Sequence, residues 1–104
     1  KTVNPAVLVA VDGVCSFGAE VFKQEEWGVD AALTCSQKAI GVPPGLCILV
    51  LSPLALDTLS KRQSRVPSYY GNLRNWLPWL TAAAPGMIYS LLSLGAFGWL
   101  VIRR

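Results

Sequence analysis

The chain alternates between short runs that are apolar throughout and short polar turns. Residues 6–11 read "AVLVAV", a continuous apolar run that ends at Asp12. A run of this length, rich in Val, suits a strand buried on both faces. "DGVCSFGAE" follows as a glycine-containing turn. Residues 21–27, "VFKQEEW", fit one or two helical turns or an amphipathic loop, with Gly28 ending it. Residues 29–33, "VDAAL", predict a second strand, and residues 46–51, "LCILVL", a third. Ser52-Pro53 reads as a helix start, with Ser as N-cap and Pro as first helical residue. Leu54, Leu56 and Leu59 supply an apolar stripe. The predicted helix runs over 53–64 and stops before Pro67.

The order is strand, turn, strand, loop, strand, helix. Strands that are apolar on both faces belong in a sheet covered by helices, which favours the α/β class. Three strands and one helix do not cover both faces of such a sheet, so the remaining layers are expected from elsewhere. From Asn75 the character changes. Residues 75–102 carry no charged side chain, place Trp near both ends and are followed by Arg103-Arg104. That length spans a bilayer, and aromatic ends with a basic stop fit one. Pro78, Pro85 and several glycines oppose a smooth soluble helix and are tolerated in membrane helices. Residues 79–104 are thus expected to be an apolar helix or tail, with 79–102 a candidate membrane anchor. At the other end, Lys1 and the apolar run resemble a signal peptide, but Asp12 falls where a small-residue cleavage site belongs. With no initiator Met, the chain is expected to begin partway through a longer protein.

The chain has 104 residues, enough for one small domain or a piece of a larger one. At 53% hydrophobic and 14% charged it is too apolar for a disordered chain. The net charge of +3 is not gathered into one basic face: Lys61-Arg62 with Arg65 and the terminal arginines stand apart, which argues against nucleic-acid binding. No histidine occurs, and the three cysteines, Cys15, Cys35 and Cys47, form no Cys-x-x-Cys pair. This argues against zinc and removes every histidine-based nucleophile triad. Buried free thiols in a reducing compartment are the expectation.

The chemistry centres on "TCSQKAIGVPPGL", residues 34–46. Lys38 lies there among small uncharged residues, with a rigid Gly-Val-Pro-Pro-Gly turn behind it. Asp12 ends a buried strand, where side chains of an α/β sheet face a ligand crevice. Neighbouring strands can bring Asp12 and Lys38 to the same crevice. A lysine and a carboxylate across a cofactor suit pyridoxal phosphate: the lysine forms the Schiff base and the aspartate keeps the ring nitrogen protonated. An Asp and a Lys at this spacing equally fit a strand-end Asp capping a turn and a Lys reaching into solvent.

The surrounding residues are more specific. "VDGVCSFGAEVF" followed by "WGVDAALTCSQKAIGVPPGL" resembles the class V pyridoxal-phosphate-dependent aminotransferases of the alanine–glyoxylate and serine–pyruvate type, over residues 7–78. The resemblance implies that residues 1–78 are part of the large domain of a fold-type I transferase, a mixed, mostly parallel sheet with helices. It implies Lys38 as the Schiff-base lysine, Asp12 as partner of the pyridinium nitrogen, Gln37 at the cofactor phosphate, Val14 on the ring face and Ser16 beside the site. Gln37 offers an amide donor without adding charge. Val14 alternates with Asp12 along an extended stretch, which puts both on one side. Pro43-Pro44 narrows the conformations of the loop behind the amine.

By the same resemblance the activity is transfer of an amino group from alanine or serine to glyoxylate or pyruvate, by a ping-pong cycle, in a homodimer. The setting is the peroxisome, mitochondrion or cytosol, although the terminal "VIRR" is not a Ser-Lys-Leu type signal. Tyr69, Tyr70 and Trp76 are expected to serve packing or a dimer contact. The family's glycine-rich phosphate loop, ring-stacking aromatic and substrate arginine match nothing in this chain. The 104-residue polypeptide alone is therefore expected to be a poor catalyst. A catalytically inactive fragment and a tail-anchored membrane protein are the alternatives.

Overall fold

A computed structural model describes residues 3–78, 89–94 and 97–103. Three strands open the chain: β1 (Ala10–Asp12), β2 (Ala31–Cys35) and β3 (Leu46–Leu51). Helix α1 (Pro53–Lys61) follows β3, and two further strands, β4 (Tyr89–Leu94) and β5 (Phe97–Arg103), lie near the C-terminus. The sheet order is β1-β2-β3-β5-β4. β1 pairs parallel with β2 and β3 with β5, while β2/β3 and β4/β5 are antiparallel. The sheet is mixed in equal parts, where a mostly parallel one was expected.

β1 is shorter than its apolar run. Its register with β2 begins at Ala10↔Ala31, and Val7 and Leu8 stay exposed. β2 starts two residues late because Val29 and Asp30 are spent on anchoring. The Asp30 carboxylate, 3% exposed, accepts hydrogen bonds from the Val9 amide (2.8 Å) and the Ser52 hydroxyl (3.0 Å). Asp30 N–H donates to Val9 O (2.8 Å), and Ser52 N–H donates to Asp30 O (2.8 Å). One buried carboxylate thus joins the entry of β1, the entry of β2 and the end of β3.

Ser52 also accepts from the Ala55 amide at 3.1 Å, so it caps α1 as predicted, with Pro53 in the first turn. The helix ends at Lys61, three residues early. Arg62 is extended, and the Arg74 guanidinium donates to Leu59 O (2.9 and 2.6 Å), Ser60 O (3.1 Å) and Arg62 O. A cation there satisfies the last carbonyls and complements the helix dipole. α1 packs on one sheet face through Leu51, Ala55, Leu49, Ala31 and Leu56, joined by Leu73 and Leu77.

Residues 13–28 form a loop, the second of the two expected forms for 21–27. Gly28 turns it at φ +65°. Phe17 and Phe22 stack at 4.1 Å, and Trp27 meets Phe22 edge-on at 5.4 Å. Tyr69, Tyr70 and Trp76 pack on one another, with the Trp76 indole donating to Tyr70 O at 3.1 Å.

The tail corrects the helix expectation. Residues 79–88, 95–96 and 104 lie outside the described residues, as does Lys1. The rest of the 79–102 stretch is strand, not helix, and among the described residues no helix is long and apolar enough to cross a membrane. Charge-free composition does not separate a membrane helix from a strand pair. Aromatic and β-branched residues such as Trp99, Val101 and Ile102 favour strands, and β5 satisfies the edge of β3 by pairing along its whole length.

Candidate functional site

The lysine turn is held by a residue that periodicity does not single out. Ser36, 1% exposed, donates its hydroxyl to Pro43 O at 2.8 Å and accepts from the Leu46 amide at 3.4 Å. Its own amide donates to Leu46 O (3.1 Å), and its carbonyl accepts from Val42 N–H (3.2 Å). These bonds draw residues 36–46 into a closed loop between β2 and β3. Inside it, Gly41 N–H donates to Lys38 O at 2.9 Å, which makes 38–41 a tight turn. Gly41 sits at φ +73° and Gly45 at φ +137°, values that side chains oppose. Gln37 and Lys38 are exposed on this turn. Among the described residues the Lys38 ammonium has neither an ion-pair nor a hydrogen-bond partner.

Asp12 is the last residue of β1, and the lysine turn follows β2. Because the two strands run parallel, both groups lie at the same edge of the sheet. Asp12 Oδ1 accepts from the Val14 amide at 3.1 Å, and Gly13 N–H donates to Leu33 O at 2.9 Å. Asp12 is exposed, and its Oδ2 has no partner among the described residues. Val14 is half-buried but lies in a turn, not on an extended stretch, so alternation is not what relates it to Asp12. The link is the side-chain bond just given, together with Val14 O, which accepts from the Thr34 hydroxyl at 3.2 Å.

The two turns touch. A Cβ on Gly18 would stand 3.4 Å from Ala39 Cβ, next to Lys38. Gly13 is buried beneath the Phe17 ring, and a methyl group there would overlap it. Ser16 is half-buried, and its carbonyl accepts from Ala19 and Glu20 N–H at 2.9 Å. A separate cleft of about 850 Å³ lies between Phe22–Glu26 and Val50–Pro53, at the opposite end of the sheet, and holds none of these residues.

The thiols are not uniformly buried, contrary to expectation: Cys15 is exposed, while Cys35 and Cys47 are half-buried. Burial, then the neighbouring Cys35 and Asp12, push the Cys47 thiol above its ordinary value.

Over 80 residues the chain is 45% identical to alanine–glyoxylate aminotransferase 1 of Saccharomyces cerevisiae, a match covering 75% of this chain and 21% of the relative. Over 61 residues it is 51% identical to serine–glyoxylate aminotransferase of Arabidopsis thaliana, covering 59% of this chain and 15% of the relative. A crystal structure of alanine–glyoxylate aminotransferase from Nostoc sp. superposes with a TM-score of 0.66 at 33% identity, over 70% of this chain and 19% of that one. The chain is thus similar to a segment of the class V aminotransferases. No family model matches the sequence. The chain spans about a fifth of the length of the curated relatives it matches. The part of the chain that resembles these aminotransferases contains the lysine turn, the Asp12 strand end and the strand–helix unit that supports them.

Ser36 and Asp30 carry the local architecture. Ser36 is legible only as the first residue of Ser-Gln-Lys. Asp30 could have been found as the one carboxylate flanked by Val29 and the apolar "AAL".

Proposed function

We propose that this chain carries the cofactor-anchoring segment of a pyridoxal-phosphate-dependent aminotransferase, with Lys38 as the anchoring amine. The observation that supports it is the parallel pairing of β1 with β2, which sets the Asp12 carboxylate and the Lys38 turn at one sheet edge. The donor set fits the cofactor. Among the described residues, Lys38 offers an unpartnered amine, Asp12 a carboxylate oxygen without a hydrogen-bond partner and Gln37 an exposed amide.

Pyridoxal phosphate, when bound, supplies an aldehyde and a ring that accepts electron density from the substrate Cα. Lys38 Nζ would be the point of covalent attachment and the group that carries a proton at the substrate carbon. The Asp12 carboxylate would accept from the ring N–H and stabilise its charge. The Val14 amide holds the other Asp12 oxygen and so orients the carboxylate. Gln37 would donate its amide N–H to the phosphate, and Val14 would present an apolar surface to the ring. Ser36 closes the loop and limits where Lys38 can reach.

Similarity to alanine– and serine–glyoxylate aminotransferases supports a small amino acid, alanine or serine, as donor and a 2-oxo acid, glyoxylate or pyruvate, as acceptor, and the resemblance implies a homodimer. The test is Lys38→Ala, with Lys23→Ala as control. Protein-bound cofactor absorbance is lost in the first and kept in the second. Unchanged absorbance in Lys38→Ala refutes the assignment.

A further inference from the structure

Cys35 and Cys47 stand directly opposite each other across β2 and β3. The surrounding hydrogen bonds fix the kind of pair. Ser52 N–H donates to Asp30 O (2.8 Å) and Ser36 N–H to Leu46 O (3.1 Å), so the even-numbered residues of β2 carry the bonds to β3. The odd-numbered ones turn their backbone to β1: Ala31 N–H donates to Val9 O (3.1 Å), and Leu33 O accepts from Gly13 N–H (2.9 Å). Cys35–Cys47 is therefore a non-hydrogen-bonded pair, the class in which Cα atoms approach to about 4.5 Å. A disulfide bridges Cα separations of about 4.4–6.8 Å. Both thiols are free and half-buried. Register puts Asp12, Leu33 and Leu49 on the same face as the two cysteines, and Cys47 responds electrostatically to both Cys35 and Asp12. The two cysteines have no part in the aminotransferase reading.

We propose that Cys35 and Cys47 form a dithiol site that low-molecular-weight disulfides oxidise to a cross-strand bridge at the neck of the Lys38 loop. The Cys35 thiolate attacks one sulfur of the reagent; the reagent S–S bond breaks, and one reagent thiolate leaves and takes up the proton Cys35 lost. The Cys47 thiolate then attacks the Cys35 sulfur of the mixed disulfide and expels the second reagent thiolate, which takes up the Cys47 proton. Two protein thiols are oxidised to one disulfide, and one reagent disulfide is reduced to two thiols. Burial, then Cys35 and Asp12, raise the Cys47 thiol above its ordinary value, which favours Cys35 as the first attacker. The bridge closes residues 36–46, the loop between β2 and β3 with the first residue of β3, into a covalent ring. The site stands on strand register and holds independently of the role of Lys38.

The experiment treats the reduced full chain with oxidised glutathione, quenches with acid and maps the products by mass spectrometry. In the expected product the Cys35 and Cys47 peptides are joined with the loss of two thiol hydrogens, whatever adduct exposed Cys15 takes up. Cys47→Ser stops at a single glutathione on Cys35, Cys15→Ser still forms the bridge, and unfolding the chain in urea slows bridge formation. Stable glutathione adducts on both Cys35 and Cys47, a bridge to Cys15, unreacted Cys35 and Cys47, or a rate unaffected by urea would each overturn the proposal.

Discussion

Replacing Asp30 with alanine tests whether one carboxylate joins three strand ends. The side chain is 3% exposed and accepts from Val9 N–H at 2.8 Å and from the Ser52 hydroxyl at 3.0 Å. A hydrogen bond to a charged group contributes about 1.5–3 kcal/mol, and the substitution removes two. The expected loss is about 3–6 kcal/mol, a large part of the roughly 5–15 kcal/mol that holds a small domain together. Offsetting this, a buried carboxylate carries its own desolvation cost, which alanine relieves. The lower end of the range is therefore expected, about 3 kcal/mol. With a urea m-value of about 1.5 kcal/mol/M, the unfolding midpoint falls by about 2 M. Asp30→Asn keeps one acceptor and falls about half as far. Asp57→Ala serves as control. Its carboxylate accepts from Lys61 Nζ at 2.7 Å on an exposed helix face, and such pairs contribute under about 0.5 kcal/mol. Equal midpoints for Asp30→Ala and Asp57→Ala would refute the anchoring role.

Gly13→Ala drives a methyl group into the Phe17 ring and is expected to cost about 1–3 kcal/mol in urea unfolding, with part of the loss recovered by adding Phe17→Ala. Cys47 gives a pH dependence of definite sign. Its folded thiol titrates above the ordinary 9.0, so above that pH the unfolded chain binds fewer protons than the folded one. Stability then falls as pH rises from 9.0 toward the folded value, and Cys47→Ser removes that component of the slope in midpoints measured across the range. At pH 8 iodoacetamide is expected to modify exposed Cys15 ahead of half-buried Cys47, as read by peptide mapping.

Local signals located the elements wherever the chain decides locally. β3 matches its predicted bounds because Gly45 precedes it and the Ser52-Pro53 helix start follows. The N-cap was legible for the same reason. β1 lost its first four apolar residues because pairing length depends on where β2 begins, and Asp30 delays that start through contacts distant in sequence. The end of α1 is set by Arg74, twelve or more residues downstream, which no helix-stop signal near Arg62 encodes. The helix alternative for the tail fails over 89–94 and 97–102, which are strand, because absence of charge reports burial, not period. Of the candidate site, Lys38 and Asp12 are singled out by "SQKAIGVPPG" and "VDGV", and parallel β1/β2 pairing puts both at the same end of the sheet, which leaves their roles a proposal. Ser36 was not, because its function is two hydrogen bonds across its own loop.

The most direct test of the account is borohydride reduction of the full chain incubated with pyridoxal phosphate, followed by peptide mapping. The account predicts a stoichiometric adduct on Lys38, with Lys23 and Lys61 unlabelled. Lys23 and Lys61 are each ion-paired, to Glu26 and Asp57 at 2.8 and 2.7 Å, whereas Lys38 has no such partner among the described residues. Labelling spread evenly over the lysines would contradict it.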